Sequence, residues 1–152
     1  MKKILLLASA FVFSFAIMAQ NNYDSLIKVN TDKYDFGKIK QGVPVTYSFE
    51  IKNISSKILV VENTWASCGC TTPEKITEPI QPGATAKLKV QYSAAGMGTF
   101  TKDVYIKLAG MDQPKAIQIT GEQLAADAYD TWVKEKDSKS KSKDSKDNKP
   151  NN

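Results

Sequence analysis

Hydrophobic and polar residues alternate with a period of two through most of the middle of this chain. Val45, Tyr47, Phe49 and Ile51 alternate with Thr46, Ser48, Glu50 and Lys52, the pattern of a strand with one buried and one wet face. The alternation returns at Ala86, Leu88, Val90 and Tyr92 against Lys87, Lys89 and Gln91. It returns again at Val104, Ile106 and Leu108 against Asp103, Tyr105 and Lys107. Ile117 and Ile119 mark a last strand ahead of Gly121, and residues 27–29 with 34–37 supply a first, edge strand. The continuous apolar run 58–61 is too short for a helix and reads as a central strand. Turn residues part these runs at Gln41-Gly42, Gln81-Pro82-Gly83, Gly96-Met97-Gly98 and Gly110 to Pro114. Short strands at this spacing, with no helical period between them, predict an all-β fold, an Ig-like β-sandwich of about seven strands over residues 20–123.

The two ends of the chain follow other rules. Lys2 and Lys3 precede an uncharged stretch, residues 4–19, too short to span a membrane, so residues 1–19 read as a secretory signal peptide cut near Ala19. Cleavage there would leave no transmembrane anchor and place the protein in the periplasm or at the cell envelope. At the other end, Leu124, Ala128 and Trp132 recur every fourth residue, predicting a short helix over residues 124–133. Residues 134–152 are almost entirely Lys, Asp, Ser and Asn, a composition with nothing to bury and an expectation of disorder.

Composition removes more chemistry than it adds. The chain has no histidine, so a Ser-His-Asp triad, a Cys-His dyad and an imidazole-ligated zinc site are all excluded. All 21 basic residues are lysine, and without arginine forks the modest positive charge gives no footprint for nucleic acid. Glu50, Glu62 and Asp103 offer carboxylates, but nothing pairs two of them as acid and base. No catalytic residues are therefore expected.

Several fragments, taken in order, resemble a known family. They are Tyr34-Asp35-Phe36-Gly37, Phe49-Glu50-Ile51-Lys52-Asn53, Ser67-Cys68-Gly69-Cys70-Thr71, Pro82-Gly83, Gly98-Thr99-Phe100-Thr101-Lys102 and Ile117-Gln118-Ile119-Thr120-Gly121. Together they resemble the bacterial envelope family catalogued as domain of unknown function 1573, itself similar to the Ig-like domains of the major sperm protein, pilus chaperone and Hydin group. The resemblance implies an exported Ig-like binding or assembly module, with a protein or peptide of the envelope as its partner, and no defined activity or cofactor.

Cys68 and Cys70 are the only cysteines, and they admit three uses. An oxidising compartment would let them close a very small disulfide, with Gly69 free to adopt unusual backbone angles. So small a loop contributes only about 1.5 kcal/mol in the chain-entropy account. A close pair can instead exchange its bridge with other proteins. Two thiolates also suit Cu(I), with Met97 or Met111 adding a thioether if the loops converge. Trp65, three residues upstream, is expected to pack in the core or against the loop. An exposed strand edge, at residues 27–29 or along the Ile117 strand, is a further candidate surface, with Lys28 and Lys115 placed as edge guards.

Overall fold

The computed structural model describes residues 22–144, with side chains through residue 138. The expected leader and residues 145–152 lie outside the described residues. Within them the alternating runs form eight strands in two four-stranded sheets. One sheet holds β1 (Ile27–Val29), β3 (Val45–Asn53), β6 (Thr85–Tyr92) and β5 (Thr71–Pro73), in that spatial order. The other holds β2 (Lys33–Lys40), β8 (Lys115–Leu124), β7 (Gly98–Leu108) and β4 (Val61–Ala66). Every pairing is antiparallel except that of β2 with β8.

The core lies between the sheets, where the inward rows meet. Phe49, Ile51, Leu88 and Val90 from the first sheet are fully buried with Val104, Ile106, Ile117 and Ile119 from the second. Burying side chains of this size contributes about 1.5–3 kcal/mol each, so these alternations, rather than any polar contact, hold the sheets together. Aromatic rings line the core's edges. Tyr34 stacks on Tyr47 at 3.5 Å, and Tyr92 on Phe100 at 4.2 Å. Gly121 faces inward beneath that second pair. A β-carbon there would stand 2.8 Å from the Phe100 ring and 2.9 Å from the Gly37 carbonyl oxygen.

Four expectations change. Residues 58–61 are not a central strand: Leu59 makes a single bridge to Ile80, and β4 begins only at Val61, on a sheet edge. Leu59 and Val61 are buried, leaving Ile58 and Val60 exposed. The single first strand is two strands on opposite sheets, because the chain crosses between them at residues 30–32. The Ile117 strand continues past Gly121 to Leu124 and lies inside its sheet, so it offers no free edge.

The helix is the fourth. Leu124 belongs to β8 and Ala128 is exposed, so the expected Leu-Ala-Trp face does not form. Helix α1 (Ala126–Asp144) instead sits against β2 through Asp130, which accepts two 2.8 Å hydrogen bonds from Lys40, and through Trp132, 5.7 Å from the Lys38 amine. It runs well into the segment expected to be disordered. Lysine and glutamate are strong helix formers, and Lys134-Glu135-Lys136 carries the helix on past Trp132. The reading from burial alone left this local propensity out.

Candidate functional site

Strands β2, β4, β6 and β8 finish, and β3, β5 and β7 begin, at one end of the sandwich. At that end β4 stops opposite Val104 and the chain crosses from one sheet to the other. The crossing is residues 67–70, and it carries a Cys68–Cys70 disulfide. Backbone bonds fix both feet of the crossing. The Ser67 amide donates to the Asp103 carbonyl at 2.9 Å, and the Ser93 amide donates to the Cys70 carbonyl at 2.9 Å. The Thr71 amide closes the turn onto the Cys68 carbonyl at 3.2 Å. Both cysteines are half-buried, and Cys70 packs against the core. The buried Thr71 hydroxyl lies 3.8 and 4.0 Å from the two sulfurs. Gly69 does not adopt a left-handed φ, so the bridge closes without the special angles expected of it.

Two neighbouring loops complete this end. The Gly42 amide donates to the Ala94 carbonyl at 2.8 Å, tying residues 41–44 to residues 93–97. Ala94 has φ 54°, the one non-glycine in the left-handed region among the described residues, a conformation that costs on the order of 1 kcal/mol. Beneath it Gln123, only 3% exposed, accepts a 3.2 Å hydrogen bond from the Tyr92 hydroxyl. Its amide nitrogen has no protein partner among the described residues. Burial pushes the Tyr92 phenol up from its ordinary value, and the bond to Gln123 offsets part of that. Above these groups Val43 is 50% and Met97 63% exposed.

The remaining sequence candidates are scattered. Met97 lies at the disulfide end, whereas Met111 follows the far end of β7 and is buried there, its carbonyl accepting from the Lys107 amine. The two methionines thus stand at opposite ends of the sandwich, and the closed bridge leaves neither sulfur as a thiolate. Among the described residues no three acidic or cysteine side chains gather as a metal cluster. Trp65 is not in the core. It lies on the outer face of its sheet, 38% exposed and stacked 5.3 Å from Tyr105 on the neighbouring strand. Lys115 guards no edge; it is drawn in to Asp32 at 3.0 Å and Asp24 at 3.5 Å. Glu62 pairs with Lys107 and Asp103 accepts from Gln118, while Glu50 stands apart on β3. Sequence reading missed Gln123 and Ala94 altogether. Gly96-Met97-Gly98 was the one local signal, a bulky apolar residue between two turn glycines.

Two four-stranded sheets, a parallel β2–β8 pair and this strand order define an Ig-like β-sandwich. Over residues 27–123 the chain matches the family described as "Protein of unknown function (DUF1573)", and it belongs to that family. Solved structures share the fold at low identity. A protein of unknown function from Porphyromonas gingivalis W83 aligns with TM-score 0.56 and 17% identity, over 64% of this chain and 46% of its own. This chain thus spans about half the length of that relative. The PapD-like domain 7 of human CEP192 aligns with TM-score 0.51 and 12% identity, over 67% of this chain and 87% of its own. The secreted serine protease VesC from Vibrio cholerae aligns with TM-score 0.54 and 13% identity, over 67% of this chain and 24% of its own. No curated protein matches the chain. No helix among the described residues is long and apolar enough to cross a membrane.

Proposed function

We propose that this protein is an exported binding or assembly module of the bacterial cell envelope that captures a protein or peptide partner at its disulfide end and performs no catalysis. The observation that carries this reading is the concentration of unrelaxed features there. A strained Ala94, a buried Gln123 amide nitrogen with no protein partner among the described residues and an exposed Met97 lie at the same end of the sandwich as one covalently pinned loop. Departures from ideal structure of this kind gather where a surface is kept for function. The bridge serves as a pin that holds the crossing loop in shape. Its closed state and the packing of Cys70 against the core support that role over disulfide exchange or Cu(I) binding.

The test compares the two ends in intact host cells. A photo-crosslinking residue is placed at Val43, at Met97 and, at the far end, at Ile58, which is as exposed. The expected result is one and the same envelope protein joined from positions 43 and 97 and none from 58. Equal adducts from both ends, or none from the disulfide end, would overturn the reading.

A further inference from the structure

Strand β7 is longer than the strand that covers it. It pairs with β8 from Gly98 to Ile106, but β4 reaches only as far as Val104 and the chain then leaves for the other sheet. The Ser67 amide continues the ladder to Asp103. Beyond that, residues 98–102 have β8 on one side and no strand on the other among the described residues. In an antiparallel ladder alternate residues turn both backbone groups to the same neighbour. Asp103 addresses the β4 side, so Thr99 and Thr101 address it too, and both are exposed.

Each regular edge of the sandwich carries a device that discourages pairing. β1 is three residues long with an exposed Lys28. β5 is as short and ends on Pro73. β2 breaks register between Asp35 and Lys38 and has α1 against its end, and β4 breaks register between Val61 and Asn63. Residues 98–102 have no proline and no register break. They hold a single charge, Lys102, half-buried on the same face as Phe100 and Val104 and in no ion pair among the described residues.

We infer that the β7 edge at residues 98–102 is a strand-addition site for an extended segment of a partner polypeptide, which runs antiparallel to β7 and bears an acidic side chain beside Lys102. This rests on the binding-module reading and names the mode of capture. The added strand prolongs the line of β4, with the Thr99 and Thr101 backbone groups supplying its ladder. Its inward side chains enter the open mouth of the sandwich beside the Cys68–Cys70 crossing. Lys102 selects the occupant, because a strand without an acid would cover its ammonium group and strip it of water without supplying a counter-charge. A second copy fits less well. Two copies of this edge paired about Phe100 would set a glycine, not a carboxylate, opposite each Lys102.

The probe is a phage-displayed library of random peptides about ten residues long, enough to span the edge, selected on the full mature protein. The expected binders alternate apolar and polar residues and carry an Asp or Glu at one fixed position. Thr101→Pro removes the outward amide while sparing the ladder to β8, and weakens these binders at least about tenfold. Circular dichroism checks that the variant folds. Should proline misfold it, Lys102→Glu decides alone, since its selected peptides should exchange the fixed acid for a base. Failure to enrich any peptide overturns the inference. Binders indifferent to both substitutions would move capture elsewhere, leaving the binding module standing and the β7 edge refuted. A dimer in sedimentation that Thr101→Pro dissolves would assign the edge to a second copy and refute the partner strand.

Discussion

The two ends of this sandwich are built from the same strands and handle buried polar groups in opposite ways. At the far end Asn53 is fully buried and every atom of its amide is used. Its nitrogen donates to the carbonyls of Lys57 at 2.7 Å and Ile80 at 2.8 Å, and its oxygen accepts from the Ser55 amide and hydroxyl. Nearby, the Tyr23 hydroxyl accepts from the Leu108 amide, and Lys115 is held between Asp24 and Asp32. At the disulfide end Gln123, also buried, has one partner for its oxygen and, among the described residues, none for its nitrogen. Both ends expose apolar residues, Ile54, Ile58 and Val60 at one and Val43 and Met97 at the other, so apolar exposure does not separate them. Polar satisfaction does. One end is finished for stability, and the other leaves one buried amide nitrogen without a protein partner among the described residues.

The sharpest way to break this contrast is at Asn53. Asn53→Ala removes four hydrogen bonds at a fully buried position and leaves the Ser55 amide without its acceptor, and the expected loss is about 3 kcal/mol, read as a lower urea midpoint. A loss below about 1 kcal/mol would mean that the network is ornamental and the two ends are alike. Gly121→Ala comes next. Its methyl meets the stacked Phe100 ring and the Gly37 carbonyl, so about 2 kcal/mol is expected, with the Tyr92–Phe100 stack disturbed in near-ultraviolet dichroism.

The double change Cys68→Ser and Cys70→Ser tests the pin. The loop keeps its backbone bonds to Asp103 and Ser93, so the fold should survive with a loss of about 1.5 kcal/mol. Unfolding on removal of the bridge would show that the disulfide end depends on covalent closure, and that its looseness is only apparent.

Alkali probes both ends at once. The Lys115 amine is raised above its ordinary 10.5: burial works against the charge, and the contacts with Asp32 and Asp24 outweigh it. The Tyr92 phenol is raised above 10.0 by burial. In both cases the folded chain holds its proton more tightly than the unfolded one. The stability they contribute is fully present below those ordinary values and is lost as pH rises through the raised ones. Thermal midpoints should therefore be unaffected by either group up to about pH 10 and fall above it. Lys115→Met and Tyr92→Phe should each flatten part of that fall; a fall unchanged in both would remove these groups as its cause.

How much of this the sequence disclosed follows from which forces are local. The alternation through Val45, Phe49 and Ile51 registered because a strand with one wet face writes burial directly into the chain. Residues 58–61 misled because an apolar run looks the same whether its neighbours are strands or a crossing, and here Leu59 makes one isolated bridge while only Val61 enters a strand. Gly121 read as a strand terminator, although its role is to lie under Phe100, a residue far away in sequence. The cysteine pair was visible as a motif, and its place at the crossing between sheets was not. Gln123 and the bare stretch of β7 carry no local mark, since each is defined by what the tertiary structure fails to set beside it.

Gln123→Met is the smallest effect and the most telling. It removes the buried nitrogen that has no partner, which relieves a desolvation penalty of about 1 kcal/mol or more. It also strips the Tyr92 hydroxyl of its acceptor, which costs about as much. The volume is nearly conserved, so packing contributes little. The two terms oppose each other, and the expected change in urea midpoint is within about 0.5 kcal/mol of zero. The same class of amide therefore matters greatly at Asn53 and hardly at all at Gln123. Suppose instead that Gln123→Met destabilised the chain by about 2 kcal/mol. The amide would then be as well satisfied as its counterpart, and the disulfide end would lose its claim to be the unfinished one. If stability holds while crosslinking from Met97 falls, the unused amide belongs to capture rather than to folding.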